Sequence, residues 1–116
     1  MKSITETVFN FILGALVIIV IDYMFESVYV ESFFVAILVA VVLTILNKIV
    51  KPILTFLAFP VTILSLGLFQ LVINGFILKL ATIILAPDFR IDSFTMMIVT
   101  SICISILYRV VGIQND

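Results

Sequence analysis

A chain of 116 residues that is 65% hydrophobic and only 11% charged carries more apolar surface than one small globular core can bury, so it reads as an integral membrane protein. A soluble helical bundle would need polar outward faces, and the run from Ser32 to Asn47 has no charge on any face. A formal charge of −1 and no histidine give no attraction for nucleic acid or an acidic substrate.

The first apolar run, Val8 to Ile21, follows Lys2 and leads into Tyr23-Met24-Phe25-Glu26 without a small-x-small cleavage pattern, which predicts a retained anchor. A short tip, Glu26 to Glu31, separates it from Ser32 to Val50, nineteen residues that would span about 28 Å as a helix. The tetrad opening that second run, Val30-Glu31-Ser32-Phe33, returns 61 residues later as Ile91-Asp92-Ser93-Phe94. The same offset pairs Gly14 with Gly75, Ile12 with Ile73, Ile45 with Ile106 and Lys48 with Arg109, the signature of an internal duplication. It predicts a third span over Phe69 to Ala86, a second tip over Pro87 to Asp92 and a fourth span over Ser93 to Val111. The expected fold is all-α: one membrane domain of four transmembrane helices arranged as two tandem hairpins, repeat 1 over about 8–50 and repeat 2 over about 68–112. Glu31-Ser32 and Asp92-Ser93 are predicted helix starts, where an acid or hydroxyl meets free backbone N–H groups and the positive end of the dipole.

The segment over 52–67 has no counterpart in the repeat. It carries no charge, and Pro52, Pro60 and Gly67 predict breaks in the helix. If it does not cross the membrane, Lys2, Lys48, Lys51 and Arg109 share one side, and Glu26, Glu31, Asp88 and Asp92 the other. The positive-inside rule favours that arrangement, with both termini cytoplasmic and the hairpins in parallel orientation. The segment is then a re-entrant or interfacial element; a kinked, tilted third helix starting near Val61 is the competing reading.

Polar residues within the spans form the candidate site. Lys79 lies midway along the third span, where a lysine costs about 3 kcal/mol, and Asp22, near the outer end of the first, is its expected partner within or between protomers. Gln70 and Asn74 share a face of the third helix and Asn47 closes the second; such amides join helices or line a polar cavity or lipid-headgroup groove. Ala36, Ala40 and Thr44 form a small stripe, repeated as Met97, Ser101 and Ser105, which with Gly14 and Gly75 predicts close helix packing. The lone Cys103 permits no disulfide within the chain. With no histidine, nucleophile elbow, phosphate loop or metal-ligand spacing, no enzyme, metal or cofactor is expected.

The order Asn47-Lys48-x-x-Lys51-Pro52, Phe59-Pro60-x-Thr62, Leu66-Gly67-Leu68-Phe69, Ile73-Asn74 and Pro87-x-Phe89 resembles the small four-helix membrane proteins of the phage holin family 4 type, also called YvlD-like. The likeness covers nearly the whole chain and is most specific from Asn47 to Asn74; the tips depart from the family's usual Pro-Gly-Phe. It implies a bacterial inner-membrane protein, surrounded by lipid and forming homo-oligomers, that permeabilises or remodels the membrane. A non-lytic structural, regulatory or lipid-interacting role in envelope homeostasis, with or without other envelope proteins as partners, is the alternative, and an ion or lipid transporter a third. No span carries a polar stripe along its length, which argues against a small static channel.

Overall fold

A computed structural model describes residues 4–112; Lys2 and residues 113–116 lie outside the described residues. Four long helices dominate: α1 (Ile4–Met24), α2 (Phe33–Leu57), α4 (Phe69–Leu85) and α5 (Phe94–Val111), with a short α3 (Phe59–Leu64) between α2 and α4. Two three-residue strands, β1 (Val28–Val30) and β2 (Phe89–Ile91), occupy the hairpin tips. Three of the helices are long and apolar enough to cross a membrane, and α4 is a shorter apolar helix of 17 residues. The protein is a small four-span helical membrane protein.

The long helices are set by their ends as much as by their apolar interiors. The Ser32 hydroxyl accepts from the Val35 N–H at 3.3 Å and the Ser93 hydroxyl from the Met96 N–H at 3.2 Å, each satisfying a first-turn donor. α5 stops at Gly112, whose left-handed backbone lets its N–H turn back to the Arg109 carbonyl at 3.3 Å. In cross-section the helices form a ring in the order α1, α2, α4, α5, each packed on two neighbours. Ala15, Ile18 and Ile21 of α1, Ala36 and Val39 of α2, Leu78 and Ala81 of α4 and Ile104 of α5 fill the centre.

The hairpin tips are not loops. β1 and β2 pair antiparallel, with Val28 opposite Ile91, Tyr29 opposite Arg90 and Val30 opposite Phe89. Two further bonds extend the ribbon: Glu31 N–H donates to the Asp88 carbonyl and Asp92 N–H to the Ser27 carbonyl, both at 2.9 Å. Every partner swaps into its counterpart when 61 is added to one number and subtracted from the other, so the ribbon has the form of a local twofold. Val28, Val30, Phe89 and Ile91 point into the core, while the Arg90 guanidinium lies 4.5 Å above the exposed Tyr29 ring. This pairing puts both tips at one end of the bundle and so makes the four spans alternate in direction. The connection over 58–68 therefore lies at the opposite end, and this segment does not add a crossing.

That connection differs from expectation in one place. Pro52 does not break the helix; α2 runs through it to Leu57. The missing N–H frees only the Lys48 carbonyl, one bond in a helix of 25 residues whose other bonds continue on both sides. The chain turns instead at Ala58, with Pro60 in the first turn of α3, and again at Leu66 and Gly67, both with positive φ (57° and 89°). Gly67 takes that conformation freely, and the Ser65 hydroxyl then accepts from the Phe69 N–H at 3.0 Å to start α4. No residue of α3 is buried, and Leu64 and Leu66 are 84% and 93% exposed. α2 measures about 37 Å and α4 only about 25 Å, so the extra length of α2 and the whole of α3 form an apolar corner.

Candidate functional site: a polar pocket and its lateral groove

Leu43, Asn47 and Lys51 fall four residues apart on one face of α2, and that face meets Asn74, Ile77 and Leu78 of α4 and Ser101, Ile104 and Ser105 of α5. Together they enclose a polar pocket of about 30 Å³ among three helices, room for one or two water molecules. The Asn74 Oδ1 atom is buried and has no hydrogen-bond partner among the described residues, a cost of about 1–3 kcal/mol when such a group stays unpaired. Ser101 is satisfied within its own helix, its hydroxyl donating to the Ile98 carbonyl at 2.8 Å, as is Thr44, which donates to the Ala40 carbonyl at 2.8 Å.

A wider groove of about 460 Å³ runs along the outside of α4 and α5. Leu71, Ile102, Ile106 and Val110 form its walls, Arg109 stands at one end, and Asn74 and Ser105 are shared with the polar pocket. On the opposite flank of α4, Leu57, Val61, Val72, Phe76 and Phe94 border an apolar groove of about 360 Å³, so the connection folds back against α4.

Of the intramembrane residues singled out in the sequence, only Asn47 and Asn74 come together. Gln70 is partly buried but does not line the pocket. Asp22 is engaged elsewhere: its Oδ1 accepts from the Val30 N–H at 3.0 Å, tying the end of α1 to the tip ribbon. Lys79 is exposed on the outer face of α4, and no ion pair joins it to Asp22 among the described residues. Two residues assigned to packing, Ser101 and Ser105, belong to the pocket wall, and so does Lys51, which the sequence offered only as a charge marking one side. The spacing of Asn47 and Lys51, four residues apart on a helix, was the available signal.

The small residues govern how closely the helices approach. A Cβ placed on Gly14 would lie 3.0 Å from the Tyr108 hydroxyl and 3.2 Å from the Ala40 Cβ, and one on Gly75 would lie 2.7 Å from Ile98 Cγ1. Ala36 and Ala40 are buried at the α1–α2 contact. At the tip, a hydrogen bond with the Asp88 side chain, reinforced by repulsion between the two acids, holds the Glu31 carboxyl above its ordinary value of 4.5.

Residues 5–110 match the family described as mycobacterial four-transmembrane-segment phage holin, superfamily IV. The chain belongs to this family. Among relatives of this phage holin family, the uncharacterised membrane protein YvlD of Bacillus subtilis is 35% identical over 102 residues, covering 88% of this chain and 86% of that protein. The uncharacterised protein SCO3922 of Streptomyces coelicolor is 39% identical over 74 residues, 61% of this chain and 59% of the relative. No solved structure gives a significant match. A holin-family chain of four spans is a bacterial membrane protein, and its family is not one known for catalysis.

Proposed function

We propose that this holin-family protein self-associates in the bacterial inner membrane and permeabilises or remodels it as an assembly rather than as a single-chain channel. Lys79 carries this reading. It stands exposed on the outer face of a membrane-spanning helix with no partner among the described residues, where insertion costs about 3 kcal/mol unless water or another protomer meets it. The polar pocket of one chain gives no route across, because Val39, Ala81 and Met97, each one turn nearer the tip ribbon than the pocket-lining Leu43, Ile77 and Ser101, are buried. Controlled expression in a bacterium, with membrane potential and lysis followed in time, tests the reading. Abrupt depolarisation, delayed or lost in Lys79→Leu, is expected; unaffected growth at high expression overturns it.

The duplicated hairpins, with the small stripes equivalent about a pseudo-twofold axis, are part of the same proposal, supported by the common 61-residue spacing of Ser32 and Ser93, Gly14 and Gly75, and β1 and β2. So is an orientation with the tip ribbon outside and the connection, as an interfacial or re-entrant corner, at the cytoplasmic face. Asp88→Cys and Lys51→Cys, each in a Cys103→Ser background, should label from opposite sides; labelling from one side overturns the orientation.

A second reading, a non-lytic lipid-interacting protein of the envelope, is favoured by the groove between α4 and α5, whose two walls bring together a cation, two polar side chains and an apolar surface.

A further inference from the structure

We infer that the groove between α4 and α5 is a binding site for one anionic phospholipid. This deepens the lipid-interacting reading and rests on it. The order of side chains along the groove matches the order of groups along such a lipid. Arg109 stands in the last turn of α5, where its planar guanidinium meets a phosphate at the membrane interface. Ser105 and Asn74 sit one turn deeper, about 6 Å along the helix, at the level of the ester linkages, where a hydroxyl and an amide can donate to ester carbonyls. Ile102, almost one turn deeper than Ser105, continues towards the bilayer centre as a wall for an acyl chain, with Ile106 beside Ser105.

Charge selects the occupant. No ion pair links Arg109 or Lys51 to an acid among the described residues, and Lys51 borders the adjoining polar pocket, adding a second positive charge behind Asn74. Basic pockets between helices at the cytoplasmic face are favourable for anionic headgroups. An apolar helix from a second copy, seated on the same groove, would bury Arg109 and Asn74 without compensation.

The test uses the full chain in nanodiscs of equal phosphatidylglycerol and phosphatidylcholine, with retained lipid counted by native mass spectrometry after release. Phosphatidylglycerol should be retained about tenfold over phosphatidylcholine, whose phosphate carries the same charge but whose choline cation is repelled by Arg109 and Lys51. Arg109→Gln should bring the ratio to about one, Arg109→Lys should keep most of it, and Lys48→Gln should leave it unchanged. Ser105→Leu should lower retention of both lipids by obstructing the ester level. Equal retention of the two lipids by the unmodified chain overturns the site and the lipid-interacting reading together. A preference that survives Arg109→Gln, or falls equally with Lys48→Gln, overturns the site alone. Quantitative disulfide dimers of Ile106→Cys in the Cys103→Ser background would show a second copy in the groove and would also overturn it.

Discussion

Replacing Asp22 by alanine should loosen the two hairpin tips from each other far more than it disturbs the spans. Its carboxylate Oδ1 accepts from the Val30 N–H at 3.0 Å, eight residues along the chain, in a partly buried position. A hydrogen bond to a charged group contributes about 1.5–3 kcal/mol, and its loss leaves the Val30 donor unpaired beside a ribbon of only three residues per strand. Taking about 2 kcal/mol, Asp22→Ala should speed exchange of the Val30 amide about thirtyfold. Asp22→Asn keeps a neutral acceptor and should cost about half as much. The assay is residue-resolved hydrogen exchange in detergent micelles, with Phe89 and Ile91 as reporters of the partner strand and Ala15 as a reporter of the spans. Lys79→Gln sharpens the test, because an ion pair within the chain predicts that it mimics Asp22→Ala and that the double variant is no worse than either single one. Unchanged Val30 exchange in Asp22→Ala, or strong coupling between the two substitutions in the monomer, would refute the assignment of Asp22 to the ribbon.

Gly75→Leu should destabilise the α4–α5 contact by about 1–3 kcal/mol, since even a Cβ there stands 2.7 Å from Ile98 Cγ1; thermal melting in detergent would measure it, and Ile98→Ala should recover part of the loss. Pro52→Ala should stabilise α2, by at most about 3 kcal/mol, because the helix already runs through that position; a loss of membrane insertion, read by protease protection, would show that a break at Pro52 is required after all. Glu31 binds its proton more tightly in the folded protein than in the unfolded chain. The associated stability is fully present below about pH 4.5 and lost as pH rises through the raised folded value, so the tip should exchange more slowly in acid. Glu31→Gln should remove that pH dependence, and an unchanged profile in the variant would place its origin elsewhere.

Much of this molecule follows from the amino-acid sequence alone. Uncharged runs long enough to span a bilayer must become helices there, since no other local structure satisfies its own backbone groups in lipid. The serines before Phe33 and Phe94 mark helix starts because capping is a contact over three residues, and the register of 61 locates the equivalent elements. Family membership was legible for the same reason, residing in linear motifs from Asn47 to Asn74.

Tertiary structure decided the rest. Val28-Tyr29-Val30 is too short to announce a strand, and its partner lies 61 residues away, so only the docking of two hairpins creates the ribbon. The same docking leaves the Asp22 carboxylate accepting from the Val30 N–H, although Val30 and Lys79 are equally plausible donors to it along a line of residues. Pro52 survives inside a helix because the bonds on either side outweigh the one it removes. Lys51, Asn74 and Ser105 belong to three helices, and no local spacing links them. Their meeting depends on how α2, α4 and α5 pack, a property of long-range contacts that a helix's own period cannot encode.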